Sequence, residues 1–179
     1  MKTILACLVT ALVVTGAMAG SEPIQLSLTP DIAVFNRSEQ INGLTLSIWG
    51  ENPQAGLALG FVNGSVGNSV GISLGLVLNY AENYKGVQWA PVNYTTGNFF
   101  GWQGGLVNYT GGTMKGLQTG VVNYSGRTTG LQFGFLNFAE DADAGVQLGV
   151  VNIIRSNTRW FTGLPDELAP GMILVNWRF

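Results

Sequence analysis

The sequence predicts an all-β protein, an antiparallel up-and-down β-barrel of about ten strands built from repeats of roughly 15 residues. Three observations predict it. A motif of Gly, apolar, usually Gln, any, small, apolar, apolar and Asn recurs seven times between residues 56 and 153. Each copy is rich in β-branched and aromatic residues, which favour strands. The copies are joined by short Gly, Ser, Thr and Asn segments, which are typical of tight turns.

The opening glycines of the motif set its period. They lie 15 residues apart except for one step of 14, and they are Gly56, Gly71, Gly86, Gly101, Gly116, Gly130 and Gly145. A period this regular indicates one structural unit that is stacked on, or paired with, copies of itself. Without its turn residues each copy leaves a strand of about ten to twelve residues. That length is close to the ~9–11 residues of a membrane-spanning β-strand.

The chain before residue 20 is predicted to be a signal peptide (residues 1–19), and residues 20–179 a single β-repeat domain. Lys2 provides a positive charge, residues 4–14 are apolar, and Ala17-Met18-Ala19 has the small-x-small pattern of a cleavage site. We therefore expect export to the outer membrane or cell surface of a Gram-negative bacterium, with the periplasm as the alternative.

Further strands are predicted on both sides of the repeats, over residues 23–28, 43–50 and 171–179. In the last of these, Ile173, Val175, Trp177 and Phe179 alternate on one face. Residues 155–170 carry charges and prolines and are interpreted as a loop. With the seven repeats the total is ten strands, an even number like that of bacterial outer-membrane barrels.

Charged residues are excluded from the repeated strands. Between Gly56 and Phe138 the charged residues are Glu82, Lys85, Lys115 and Arg127, and all four lie between motif copies. An antiparallel sheet with one solvated face is normally polar on that face. Both faces are therefore expected to be shielded from water or lined by neutral groups, which favours outer-membrane lipid as a partner.

Strict alternation along the strand would divide each copy into two faces. Counting the glycine as position one, the even positions form a large apolar face for lipid. The odd positions form a small interior face, on which Tyr94, Tyr109 and Tyr124 would also lie unless a bulge reverses the parity. Position three of this interior face supplies a ring of neutral amides, the candidate lumen or ladder positions Gln88, Gln103, Gln118, Gln132 and Gln147.

A parallel β-solenoid, with one coil per repeat, is the alternative fold. Every copy of a directional motif would then point the same way, and Asn and Gln side chains would stack in ladders. The corresponding function is an exported soluble repeat protein that binds a partner or a carbohydrate.

The clearest copies, such as Gly116-Leu117-Gln118-Thr119-Gly120-Val121-Val122-Asn123-Tyr124, resemble the repeats of bacterial exported surface-repeat proteins. The resemblance covers about residues 43–179. It implies export and a location at the cell surface or envelope. The family has no established activity, so the resemblance assigns no functional residue.

The composition leaves little for catalysis. The chain has no His, and its one Cys, Cys7, lies in the predicted signal peptide, so the commonest general base and the Cys-based metal ligands are missing. The net charge of −2 offers no basic patch for nucleic acid. Glu140, Asp141 and Asp143 are interpreted as a solvated acidic turn. We therefore predict no enzyme activity, no cofactor and no metal, and a structural, surface-exposed or narrow-pore role.

Overall fold

The computed structural model describes residues 21–179, which form a β-solenoid. The predicted signal peptide lies outside the described residues. Within them every regular element is a strand. The strands are β1 (Ser21–Thr29), β2 (Ile32–Ala33), β3 (Gln40–Glu51), β4 (Ala55–Trp89), β5 (Val92–Thr95), β6 (Phe99–Gly104), β7 (Val107–Ile154) and β8 (Gly171–Arg178).

Successive repeats pair in parallel, and each residue lies beside its equivalent in the next repeat. Between β5 and β7, Asn93 pairs with Asn108 and Tyr94 with Tyr109. Between β6 and β7, Gln103 pairs with Gln118. The 35 residues of β4 and the 48 of β7 would each exceed roughly 100 Å if straight, at about 3.3 Å per residue. These two strands therefore wind around the axis, one coil per repeat.

The prediction of an antiparallel up-and-down barrel is wrong. A barrel of that kind needs antiparallel neighbours joined by hairpins, whereas β3, β4, β5, β6 and β7 pair in parallel. The Gly- and Thr-rich segments predicted as hairpins, such as residues 110–113, lie within extended chain and continue the coil. The observed architecture is the alternative, a parallel β-solenoid.

Most of the opening glycines lie at a corner of the coil whose backbone conformation disfavours any other residue. Gly71, Gly86, Gly101, Gly116 and Gly130 have φ between 124° and 136°, a region that residues with a Cβ rarely adopt. A Cβ on Gly101 would also lie well under 3.0 Å from the carbonyl oxygen of Gly86, one coil earlier. The glycines therefore stack backbone on backbone along the axis.

A second corner reverses the predicted parity within each repeat. In the coil that opens at Gly116, Gln118, Asn123 and Ser125 are buried, whereas Val121 is exposed and Val122 half-buried. Alternation is interrupted at these two valines, so position three and position eight both point inward. The prediction that position eight shares the outward apolar face is therefore wrong, and the tyrosines at position nine lie on the outside.

Further strands pair with both ends of the solenoid. At the N-terminal end β1 pairs in parallel with β3, and β2 pairs with β1 in antiparallel orientation. At the C-terminal end β8 runs antiparallel to the last coil of β7, with Gln147 beside Asn176. The strands predicted over 23–28, 43–50 and 171–179 correspond to β1, β3 and β8. These caps pair backbone groups that a bare coil would leave open.

Candidate functional site

The five glutamines singled out from the sequence form one continuous ladder inside the solenoid. Each is at most 1% exposed. After Gln88, the Nε2 group of each donates to Oε1 of the one before it, at 2.9 Å for Gln103 to Gln88 and 2.7 Å for Gln147 to Gln132. The two intermediate steps, Gln118 to Gln103 and Gln132 to Gln118, are both 2.8 Å.

Hydroxyl groups from another part of the coil form hydrogen bonds with the glutamine ladder. Thr110 Oγ1 donates to Gln103 Oε1 at 3.0 Å and accepts from Gln118 Nε2 at 3.3 Å. At the ends of the ladder, Gln88 Nε2 and Gln147 Oε1 have no partner within residues 21–179. The glutamines are thus packed into the interior, and their amides bond to one another and to neighbouring hydroxyl and carbonyl groups.

A second ladder, which the candidate residues did not include, is made by the asparagine that ends each motif copy, at position eight except in the copy that opens at Gly71, where one extra residue places it at position nine. Its members are Asn63, Asn79, Asn93, Asn108, Asn123, Asn137 and Asn152, each at most 2% exposed. Their Nδ2 to Oδ1 distances lie between 2.8 and 3.1 Å. Each Nδ2 from Asn79 onward also donates to a backbone carbonyl, such as Thr119 O for Asn108. The signal for this ladder was the constant asparagine of the motif.

The aromatic residues at position nine stack on the outside. Ring centroids are 4.9 Å apart for Tyr94 and Tyr109, 4.8 Å for Tyr109 and Tyr124, and 5.4 Å for Tyr124 and Phe138. The rings are nearly parallel, so their faces cover one another. Burial and the neighbouring Glu140 carboxylate raise the pKa of Tyr124.

The remaining outward positions form what we call the apolar surface: the side chains at positions two, four, six and seven of successive coils. Several large members are half exposed or more, including Leu76 at 63%, Leu106 at 59% and Phe135 at 58%. Other exposed members are Phe61, Ile72, Val77, Trp89, Trp102, Val121, Phe133 and Val150. Seven coils at a spacing of about 4.8 Å make this surface roughly 30 Å long.

Charge is confined to the other side of the coil. The charged side chains of the repeats occupy positions eleven to fifteen, and they are Glu82, Lys85, Lys115, Arg127, Glu140, Asp141, Asp143 and Arg155. Arg127 pairs with Asp141 at 2.8 Å and Arg155 with Glu140 at 2.9 Å. Each coil therefore has an uncharged apolar side and a charged side, and its interior is largely polar.

The acidic turn is held by these ion pairs. Burial acts to raise the pKa of Asp141, but the nearby Ser156 hydroxyl, hydrogen bonds from Arg127 and the backbone N–H of Ala142, and the Arg127 charge outweigh it and hold that pKa below its ordinary value. Among residues 21–179, His, Cys, Asp and Glu side chains form no group of three that could hold a metal ion. The same residues contain no helix long and apolar enough to cross a membrane.

Comparison with known proteins gives no relative: no family model, curated protein or solved structure matches the chain.

Proposed function

We propose that this protein is an exported envelope protein that attaches to a lipid surface through its apolar surface. One observation carries the proposal: large apolar side chains lie exposed on successive coils, and no charged residue interrupts them. The signal-peptide pattern and the resemblance to exported surface-repeat proteins support the same location.

The apolar surface is too extensive to be an incidental feature of a monomer in water. The largest apolar patch on a soluble monomer is typically a few hundred Å² and often functional. Full burial of one Leu or Phe side chain stabilises by about 1.5–3 kcal/mol. Leu106, Phe133 and Phe135 are each more than half exposed and realise only part of this stabilisation within the protein. We therefore expect another molecule or surface to cover these side chains.

A lipid surface fits this arrangement for two reasons. Backbone groups need internal partners in an apolar environment, and in the solenoid each coil pairs with the next. The tryptophans Trp49, Trp89 and Trp102 lie on the apolar surface, and tryptophan is enriched where proteins meet the membrane interface. The charged positions eleven to fifteen would then remain in water.

Flotation with neutral phosphatidylcholine vesicles tests the proposal. The purified protein is expected to float with the vesicles, and the double variant L106E/F135E is expected to stay at the bottom of the gradient. The replaced side chains are exposed, so the fold should persist, but two carboxylates at the lipid boundary must be desolvated.

The matched control is T96E/T158E, which adds the same charge at exposed sites away from the apolar surface. This control should float like the parent protein. Attachment through the apolar surface is ruled out if the parent protein does not float, or if both double variants float equally.

Binding of a carbohydrate is a second candidate, favoured by one hollow on the apolar surface. Trp89 lines this space of ≈ 390 Å³ together with Gly104, Leu106 and Thr119, and Trp102 also lies against Gly104. Aromatic faces of this kind pack well against sugar rings. Binding to a glycan panel that is lost in W89A, with flotation retained, would support this candidate instead.

A further inference from the structure

Two lysines occupy equivalent positions on the charged side, two coils apart. Lys85 pairs in register with Phe100, and Phe100 pairs with Lys115. All three side chains are exposed at position fifteen. Residues 21–179 contain two lysines, Lys85 and Lys115, so the lysine charge of this part of the chain is concentrated at one point.

The ammonium groups of both lysines lie close to the ring of Phe100. Lys85 Nζ lies 5.5 Å and Lys115 Nζ 5.8 Å from the centre of the Phe100 ring. Both distances are within the range of a cation–π interaction. Neither lysine takes part in the five ion pairs of the described chain, whereas Arg37, Arg127, Arg155 and Arg178 do. The positive charge of the pair is therefore not neutralised by a salt bridge.

The hollow beside the lysines offers hydrogen-bond donors. It measures ≈ 550 Å³, and its polar lining includes Asn83, Asn98 and Thr113 but no acidic residue. Asn83 Oδ1 accepts the backbone N–H of Asn98 at 2.8 Å, and Asn98 Oδ1 accepts that of Thr113 at 2.9 Å. The acceptor ends of both amides are thus used, which leaves their Nδ2 groups to donate to a ligand.

The lysine pair also borders the apolar surface directly. After Lys85 the chain passes one glycine and reaches Val87 at position two, and after Lys115 it reaches Leu117 in the same way. With the apolar surface on lipid, the two ammonium groups would lie at the depth of the headgroups. Long lysine side chains commonly reach toward that layer.

We propose that Lys85 and Lys115, held over Phe100 and next to the donors of Asn83 and Asn98, bind the phosphate groups of anionic lipid headgroups. The inference rests on the proposed attachment to lipid and specifies which lipid the protein prefers. Each lysine near an anionic surface is expected to raise the partition coefficient about fivefold. The pair should thus give a preference of roughly 25-fold at low salt.

Vesicle sedimentation measures this preference. Partition coefficients are compared for phosphatidylcholine vesicles and for vesicles that also contain phosphatidylglycerol, with the parent protein, K85Q/K115Q and K85R/K115R. We expect the parent and the arginine variant to prefer the anionic vesicles. K85Q/K115Q should bind the anionic vesicles no more strongly than the neutral ones. The control R127Q/R159Q removes the same charge elsewhere and should retain the preference.

The outcomes separate this inference from the proposed function. If the parent binds neither kind of vesicle, attachment to lipid fails and the inference fails with it. If the parent binds both equally, or if K85Q/K115Q keeps the preference, the headgroup site is wrong while attachment to lipid stands. Calorimetric titration with inorganic phosphate is the last arm: lysine-dependent binding without vesicles would assign the site to a free anion and overturn the lipid assignment.

Discussion

Asn108 donates a hydrogen bond from Nδ2 to Oδ1 of Asn123, its equivalent one coil later, at 2.8 Å. The same contact repeats along the axis from Asn63 to Asn152. Because each amide has both a donor and an acceptor, a stack of identical asparagines satisfies itself. The protein can thus keep a polar interior and place its apolar residues outside.

Replacing Asn123 with Ala is expected to destabilise the protein by about 3 kcal/mol. The change removes the acceptor of Asn108 and the donor to Asn137 Oδ1 and Phe133 O. Buried groups left without partners cost about 1–3 kcal/mol each. Denaturant unfolding followed by circular dichroism measures the loss. N68A, at an exposed asparagine, should change the free energy of unfolding by less than about 0.5 kcal/mol, and equal values for the two variants would contradict the ladder's role.

The sequence predicted the repeat unit but not the direction of its pairing. The period, the strand character and the terminal strand over 171–179 could all be derived from composition and spacing. However, a strand that pairs in parallel with its neighbour and one that pairs in antiparallel orientation can have the same residues within one copy. The segment Thr110-Gly111-Gly112-Thr113 suits a hairpin and a solenoid corner equally well, because both need small residues. The direction of pairing depends on contacts between copies, and the residues of a single copy do not specify those contacts.

A glycine series should separate steric overlap from backbone strain. G101A places a Cβ in contact with the carbonyl oxygen of Gly86 at a φ of 136°, and it is expected to prevent folding. Gly67 has a φ of 63° but open space around it, so G67A should cost only about 1 kcal/mol. Gly171 has open space and no positive φ, and G171A should be neutral. Thermal unfolding of the three variants gives the order.

The order of the series is the informative result. If G101A and G67A lose the same stability, the close stacking of the opening glycines contributes nothing and conformational strain alone explains the motif. A destabilised G171A would mean that neither steric overlap nor a positive φ accounts for the cost of replacing glycine at these sites.

The interior glutamines illustrate a second limit of the sequence. Their shared position could be predicted, and the structure places Gln88, Gln103, Gln118, Gln132 and Gln147 in one ladder. Strict alternation put Asn123 on the opposite face, because nothing in Gly120-Val121-Val122 distinguishes a straight strand from a corner. The asparagine ladder therefore depends on a bend that local propensity does not encode.

Stability above pH 10 should depend on Tyr80. Burial and a hydrogen bond to Glu51 raise its pKa to about 12, although the Trp49 indole, 3.0 Å away, acts in the opposite direction. The folded state thus keeps a neutral phenol that the unfolded chain ionises near pH 10. This contribution is fully present below pH 10 and is lost as the pH rises through about 12.

Y80F removes that ionisation and is expected to flatten the fall in unfolding midpoint between pH 10 and pH 12. Tyr84, whose pKa burial also raises, remains in the variant and keeps part of the slope. Y94F, at an exposed tyrosine, is the control and should follow the parent protein. An unchanged slope in Y80F would show that the Tyr80 environment does not favour the neutral phenol.

Removal of β8 should cause two copies of the protein to pair. Deleting residues 171–179 exposes the edge of the last coil, where Val146, Leu148 and Gly149 now pair with β8, and such an edge pairs readily with another chain. Because β2 still pairs with the C-terminal part of β1 at the other end of the solenoid, growth should stop at two copies. Analytical ultracentrifugation in mild detergent, which keeps the apolar surface covered, measures the association. Removal of Phe179 alone leaves β8 in place and should leave a monomer, whereas filaments from the larger deletion would show that β2 does not protect the N-terminal edge.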